Sequence, residues 1–448
     1  MKTSLVRISA LAFMFIGSAM YAQDKTVLTD LQTEPTTSLR EYLAPQKYSR
    51  NVFEDPKVEP IPYDGVRVSV GGDFTAQYQA LTHSTAATLP AGRTLNNQGK
   101  NFNLPTANLD VNAYLAKGVK LHMRTYLSAR HHNEAWVKGG FMQIDNLDFI
   151  QEGLLEDVMK HVRLKAGYDD LNYGDTHFRR SDNGYALNNP FVGNYIMDSF
   201  TTQPFVEGYV FYNNFFGMLG LSNGKLNQSV VKNATSDNKP SYYAKVGFDK
   251  QVDTDLRVRV SASVLRTNGM TSNGKLYGDD RAGSRYYYVL LADDAALGTS
   301  NAQTGRFNPG LMEMTAVQLN PFIKYQGLEF FGVLEHAKGN KLVSPTQKRD
   351  TDGAYTQVGA ELLYRFGGKE QFYVGGRYNA VSGEDYDNAG ERKISRINAG
   401  GGWYVTPNVL FKGEYVNQKY NEGTAWGIAS PLYGGQFKGV VLEASIGF

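Results

Sequence analysis

The chain of 448 residues contains no cysteine. This absence excludes a disulfide scaffold, a thiol nucleophile and every metal site built on cysteine. A basic excess is missing too, because 46 Lys and Arg stand against 44 Asp and Glu and the net charge is only +2. Nucleic-acid-binding proteins carry such an excess, so nucleic acid is not an expected partner.

Long apolar runs are absent from the body of the chain. The longest extends only from Tyr286 to Ala292, whereas a transmembrane helix needs about 20 residues. A transmembrane β-strand needs only about 10 residues of alternating character. The sequence therefore excludes transmembrane helices but is compatible with a membrane β-barrel.

The N-terminus has the pattern of an export signal. A positively charged start precedes an almost wholly apolar stretch from Ile8 to Ile16 and then a group of small residues. This order predicts a secretory signal peptide over residues 1–22, cleaved after Ala22, with cleavage after Ala19 as the alternative.

Residues 23–65 differ in composition from the rest of the chain. Five of the 15 prolines fall in this stretch, and its apolar residues follow no period. We expect a periplasmic N-terminal extension here. It is extended in conformation and can fold against the mouth of a barrel.

Strict alternation of apolar and polar residues begins at Val66 and continues to Ala80. A period of two places one set of side chains on each face of a β-strand. Fifteen residues is long for a strand of a globular protein but suits a tilted membrane strand. Similar stretches recur, and pairs of them are joined by short turns near Lys117-Gly118, 151–160, Asn213-Asn214, 250–255, Gln326-Gly327, Gly367 to Lys369 and Thr406-Pro407.

Long polar loops separate these seven hairpins. The loops lie near 81–103, 130–139, 170–203, 224–240, 266–312, 339–353, 382–392 and 420–435. One opening strand, seven hairpins and one closing strand predict an all-β, closed antiparallel transmembrane β-barrel of about 16 strands over residues 66–448. Its short turns are predicted to be periplasmic and its long loops extracellular. The segment Arg285 to Leu291 is assigned to loop 266–312 and not to a strand. A soluble propeller or sandwich is the alternative, which repeated blade motifs would favour.

The polar set of each strand is assigned to the barrel interior, because a charge on the lipid face costs about 2–4 kcal/mol at the midplane. Cations slightly outnumber acids on this face. The predicted pore-lining, anion-facing residues are Arg67, Lys120, Arg124, Arg163, Lys165, Arg257 and Arg259. These cations either favour anions in the pore or brace the wall by pairing with acids, and the sequence leaves both interpretations open.

The segment Val162 to Tyr168 and the loop that follows, with Gly174-Asp175, resemble the strand-and-loop signature of phosphate-selective porins of the O and P type and related Gram-negative porins. The Ala22-Gln23 junction resembles that of exported Bacteroidota proteins. The signature has arginine where this chain has Tyr168. The resemblance implies that loop 170–203 folds into the pore. The predicted constriction-loop residues are Tyr173, Arg179, Arg180 and Tyr185.

The expected function is an outer-membrane porin for passive diffusion of small hydrophilic solutes, weakly anion-selective. The alternative is a structural or partner-binding barrel closed by its own loops. No catalytic constellation is present, and the pair His131-His132 lacks convergent carboxylates. We therefore predict no enzyme activity, cofactor or metal. Expected partners are outer-membrane lipid, the barrel assembly machinery and small hydrophilic solutes, with a homo-oligomer left open.

The C-terminal residue yields the first testable prediction. Phe448 ends an alternating apolar face formed by Val440, Leu442, Ala444 and Ile446, and a terminal Phe in this pattern resembles the signal that the barrel assembly machinery reads. Deleting Phe448 should lower the amount of chain assembled in the outer membrane, measured by surface labelling. Unchanged surface levels would contradict the assignment.

Overall fold

A computed structural model describes residues 38–90, 92–103, 105–128, 135–181, 185–223, 239–268, 276–278, 286–295, 303–344 and 347–448. The predicted signal peptide and the pair His131-His132 lie outside the described residues.

Sixteen long strands dominate the described part of the chain. They are β1 (Arg67–Ser84), β2 (Thr106–Ala116), β3 (Val119–Ser128), β4 (Ala135–Ile144), β5 (Val162–Asp170), β6 (Thr202–Tyr212), β7 (Phe215–Ser222), β8 (Ser241–Gln251), β9 (Leu256–Thr267), β10 (Met314–Tyr325), β11 (Leu328–Gly339), β12 (Gly353–Phe366), β13 (Phe372–Glu384), β14 (Arg392–Thr406), β15 (Val409–Tyr420) and β16 (Gln436–Gly447). Each is antiparallel to the next along the chain.

The sheet closes on itself between its first and last strands. β1 pairs with β16 in a register that runs from Asp73 opposite Gly447 to Ser84 opposite Gln436. Phe448 extends the seam, because its N–H donates to Gly72 O and its carbonyl accepts from Gly72 N–H, each at 3.0 Å. The predicted all-β, closed antiparallel barrel of 16 strands is confirmed. Six of the seven predicted turns lie at short connections. The seventh, predicted near 151–160, spans residues 145–161 and contains the helix Glu156–Met159, because β4 already begins at Ala135, inside the predicted loop 130–139.

Side chains alternate between the two faces of the barrel as the sequence pattern predicts. Val206 is 58% exposed on the outer face, whereas the adjacent Glu207 is 1% exposed inside. Aromatic side chains gather on the outer face near the short turns. Phe372 stacks on Phe366 at 5.6 Å and on Trp403 at 6.0 Å between ring centroids. An apolar outer band bordered by aromatic rings is the surface that a lipid bilayer requires.

The remaining elements are short. The short strands are Lys100–Phe102, which pairs with the upper part of β1, Tyr286–Tyr287 with Gln303–Thr304, and Leu342–Ser344 with Gln347–Lys348. The helices are α1 (Leu39–Leu43), α2 (Pro45–Tyr48) and α3 (Glu156–Met159), with 3-10 turns at Thr176–Arg179 and Thr424–Trp426. None of the described helices has the length and apolar character to cross a membrane.

The connection between β9 and β10 contains the segment Arg285 to Leu291, which we predicted to belong to a loop. Among the described residues, the strand Tyr286–Tyr287 pairs with Gln303–Thr304 of the same connection and not with a barrel strand. The described part of the segment, residues 286–291, is therefore part of the loop, as predicted. Tyr286 is fully buried inside the barrel, where its hydroxyl donates to Glu414 Oε1 at 2.6 Å.

The N-terminal extension differs from a simple extended lead-in. Residues 38–57, which we call the inner segment, contain α1 and α2 and pack against inward-facing side chains of the barrel. Tyr42 contacts Tyr114 of β2, with ring centroids 5.5 Å apart, and Phe53 contacts Phe322 of β10 at 5.4 Å. Aromatic side chains in a proline-rich stretch thus find burial inside the barrel rather than in a core of their own.

The seam gives a prediction about barrel stability. Gly439 of β16 has φ +150°, and a Cβ there would lie 2.2 Å from Ala80 O of β1. Gly439→Ala should strain the seam by about 1–3 kcal/mol and lower the temperature at which the SDS-resistant barrel changes its gel mobility. Gly217→Ala on β7 is the matched control, because no atom lies within 4 Å of its added Cβ. Equal shifts in both variants would show that the seam tolerates the side chain.

Candidate functional site: the barrel interior

The predicted interior cations all lie on the inward face of the barrel. Lys120, Arg124, Arg163, Arg257 and Arg259 are buried, and Lys165 is half-buried. Arg67 lies at the short-turn mouth, where its side chain is 34% exposed and contacts Asp64 at 3.2 Å. These cations therefore face the lumen. The groups that each cation contacts determine whether it braces the wall or attracts anions.

Cations on β3 and β5 form one row along the wall. Arg124 Nε donates to Asp110 Oδ1 at 2.7 Å, and Arg163 Nε donates to Asp145 Oδ1 at 2.8 Å. The other two contact aromatic rings, since the Lys120 ammonium lies 3.9 Å from the ring centroid of Tyr42 and the Lys165 ammonium 3.9 Å from that of Phe141. Lys165 forms no ion pair with the described residues.

The cations on β9 lie in a separate group. Arg257 NH2 donates to Asp249 Oδ2 at 2.8 Å. Arg259 binds three carboxylates: Glu54 at 2.7 Å, Asp175 at 3.0 Å and Asp249 at 3.1 Å. These arginines therefore join the wall to the inner segment and to the loop that follows β5, as the bracing interpretation requires.

The predicted constriction loop connects β5 to β6 and fills the lumen. Every described residue from Leu171 to Ser181 and from Asn189 to Gln203 is buried. Tyr173 donates to Glu335 of β11 at 3.2 Å, and the main chain of Val192 donates to Glu414 of β15 at 2.9 Å. The loop thus reaches across the barrel to the opposite wall.

Arginine side chains hold this loop in place. Arg179 NH2 donates to Glu329 Oε1 at 2.8 Å and also binds Glu361. Arg180 pairs within the loop with Asp198 at 2.7 Å. Tyr185 forms a cation–π contact with Arg124, whose guanidinium carbon lies 5.1 Å from the centroid of the tyrosine ring. The four predicted loop residues therefore lie inside the barrel, although the sequence did not indicate their acidic partners.

The inner segment is the part of the interior that sequence reasoning missed. Glu54 accepts from Lys245 Nζ at 2.7 Å and from Arg259 NH2 at 2.7 Å. Burial alone would raise the pKa of Glu54, but Arg259 and Lys245 outweigh burial and lower this pKa to about 2. Lys47 binds Asp73 and, at 3.1 Å, Asp110. Its burial lowers the pKa of Lys47 to about 8. The segment carries no periodic pattern that could have indicated these contacts.

A cavity of about 70 Å³ remains between the inner segment, the constriction loop and the wall formed by β2 to β6. This volume holds a handful of water molecules. We call it the wall cavity. The charged residues that line it are Lys47, Lys120, Arg124, Arg163, Lys165, Glu54, Asp55, Asp110, Asp169 and Asp170. The predicted row of cations thus borders a polar void, and among its described lining residues cations and acids are equal in number.

Comparisons with known proteins bear on the fold. By sequence, the chain matches no protein-family profile and no curated protein. Among solved structures, the anion-selective porin from Comamonas acidovorans superposes with a TM-score of 0.51 at 12% identity, covering 86% of this chain and 100% of that one. The outer-membrane channel DcaP of Acinetobacter baumannii gives a TM-score of 0.49 at 13% identity, covering 87% of this chain and 100% of that one.

The architecture and the first of these likenesses define the class. The chain has a porin-like fold, a closed β-barrel of sixteen antiparallel strands. At this level of identity the likeness concerns the fold and no particular type of porin.

The Arg179 contacts give a prediction about the constriction loop. Arg179→Met removes the cation between Glu329 and Glu361, and breaking a buried ion pair costs about 3–5 kcal/mol. The variant should therefore expose loop 171–201 to added protease in detergent. Arg93→Met is the matched control, because the Arg93–Asp294 pair is exposed and such pairs contribute about 0–1 kcal/mol. Equal cleavage of both variants would contradict a bracing role for Arg179.

Proposed function

We propose that this protein is an outer-membrane porin through which small hydrophilic solutes diffuse along a narrow path at the wall cavity. The observation that carries the proposal is the cavity itself, a charged void of about 70 Å³ beside β2 to β6. Charged side chains stabilise water and small polar solutes through hydrogen bonds and electrostatic interactions, which apolar solutes cannot form. The narrow cross-section favours a small conductance.

We also propose a weak preference for anions, set mainly by Lys165. Arg124 and Arg163 are each neutralised by an aspartate, so their fields are largely cancelled. Lys165 contacts the rings of Phe141 and Phe205, at 3.9 Å and 5.8 Å, rather than a described carboxylate. An unneutralised charge beside a low-dielectric wall raises the local concentration of counter-ions. The resemblance to phosphate-selective porins adds small oxyanions to the solutes proposed.

Reversal potentials in planar bilayers test this assignment. Lys165→Glu should move the reversal potential towards cation selectivity in 0.1 M salt and much less in 1 M salt, since the screening length falls from about 10 Å to about 3 Å. Lys160→Glu is the matched control, because Lys160 is exposed on the turn between β4 and β5. A wild-type channel that already prefers cations, or an unmoved reversal potential in Lys165→Glu, would contradict the selectivity.

A second candidate is a structural or partner-binding barrel that conducts nothing. The observation in its favour is that the inner segment and loop 171–201 occupy the lumen, where between them they contact β1, β9, β15 and β16. The absence of current steps from chain that is SDS-resistant and heat-modifiable would favour this candidate over the porin.

A further inference from the structure

We propose that the inner segment, residues 38–57, is a displaceable gate that withdraws through the short-turn mouth and widens the lumen. This inference rests on the proposed function, because a gate matters only in a barrel that conducts.

The inner segment adds no strand to the barrel. Its described backbone–backbone hydrogen bonds are internal, such as Tyr42 N–H to Ser38 O and Ser49 N–H to Pro45 O. Wall side chains bind its carbonyls instead: Arg163 donates to Asp55 O at 2.6 Å and Lys120 donates to Tyr42 O at 2.6 Å. Withdrawal therefore breaks side-chain contacts and leaves the strand pairing of the barrel intact.

Charge pairs supply much of the attachment. Lys47 binds Asp110 of β2, Glu54 binds Lys245 of β8, and Lys57 binds Asp145 at the end of β4 at 3.0 Å. Asp110 and Asp145 lie on the side of the barrel formed by β2 to β4, whereas Lys245 lies on β8, so the segment reaches from one side of the lumen to another. Each pair consists of a movable partner and a partner on the wall, and water can solvate both when they separate.

One aromatic side chain anchors the centre of the segment. Phe53 is 2% exposed and packs against Phe178, Phe322 and Phe331, with ring centroids 5.9, 5.4 and 6.5 Å away. Together with the Tyr42–Tyr114 contact, this apolar cluster gives the closed state a defined position, while the charge pairs become accessible to water and salt on opening.

The connection to β1 permits movement. Residues 58–66 contain two prolines and several exposed positions. Gly65 has φ +130° with no atom within 4 Å of a built Cβ. The constriction loop differs, because β5 and β6 fix both of its ends. Only the inner segment can therefore leave the described lumen without disturbing a barrel strand.

Withdrawal would uncover a charged surface on opposite walls. Asp110 and Asp145 would lose their lysines on one side, while Lys245 and Arg259 would lose Glu54 on the other. Arg259 and Lys245 would keep Asp175 as a partner. The opened path is thus polar, and it joins the wall cavity to the short-turn mouth.

Thiol labelling of the full chain tests displacement directly. The chain has no cysteine, so Val52→Cys introduces a single thiol at a position that is 7% exposed. In this background the thiol should react slowly with a bulky, water-soluble maleimide. Adding Glu54→Gln should raise the labelling rate at least tenfold, because a tenfold shift needs only about 1.4 kcal/mol. Lys57→Met is a second variant that acts at a different wall.

Glu59→Gln is the matched control, since Glu59 is an exposed glutamate only five residues further along the chain. It should leave labelling unchanged. Each variant is first checked for SDS resistance and heat-modifiable mobility, so that labelling reports the segment in a closed barrel.

Bilayer currents from the same variants separate the two proposals. Faster labelling together with an open probability at least tenfold higher in Glu54→Gln and Lys57→Met, but not in Glu59→Gln, supports the gate. Faster labelling without any current supports displacement and overturns the porin function. Unchanged labelling in both Glu54→Gln and Lys57→Met overturns the gate, whatever the conductance of the wild-type barrel.

Discussion

Closure of the hydrogen-bonded sheet is the constraint on which the rest of the structure depends. A strand edge in hydrocarbon would leave its N–H and C=O groups without partners, at a cost of several kcal/mol each. The pairing of β1 with β16 removes both edges. Once the sheet is closed, alternation along each strand sends one set of side chains to lipid and the other to the lumen. The interior charges follow directly from this division.

Charges enclosed by the barrel need partners, and the partners determine how much of the lumen stays open. Acids and cations on neighbouring strands satisfy one another in places, as Arg124 and Asp110 do. Elsewhere the wall binds chain that enters the lumen, as Arg259 binds Glu54 and Asp175. The same ion pairs that brace the wall therefore also hold the material that narrows the pore. The bracing contacts form one network of ion pairs. Lys165, on which the proposed anion preference depends, contacts aromatic rings and forms no ion pair with a described residue.

Two of the described stretches of chain in the lumen, loop 171–201 and the inner segment, are attached to the barrel in different ways. Loop 171–201 is fixed at both ends by barrel strands and is buried along nearly all of its described length. Within the described residues, the inner segment is joined to the barrel through residues 58–66 and side-chain contacts. This difference in attachment is the basis of the proposed gate, in which departure of the inner segment widens a lumen that the fixed loop narrows.

The sequence by itself determined the barrel, its sixteen strands, the positions of six of its turns and the inward direction of cations such as Lys120 and Arg163, whereas the connection between β4 and β5 proved longer than predicted. It could do so because a period of two and local turn chemistry are encoded in neighbouring residues. Only the tertiary structure determined that Glu54 pairs with Lys245 and that Arg179 pairs with Glu329 and Glu361. It also determined that residues 38–57 enter the lumen. Each of these ion pairs joins a residue in a stretch without periodicity to a barrel strand more than 100 positions away. Their formation depends on the shape of the closed barrel, which no local pattern specifies.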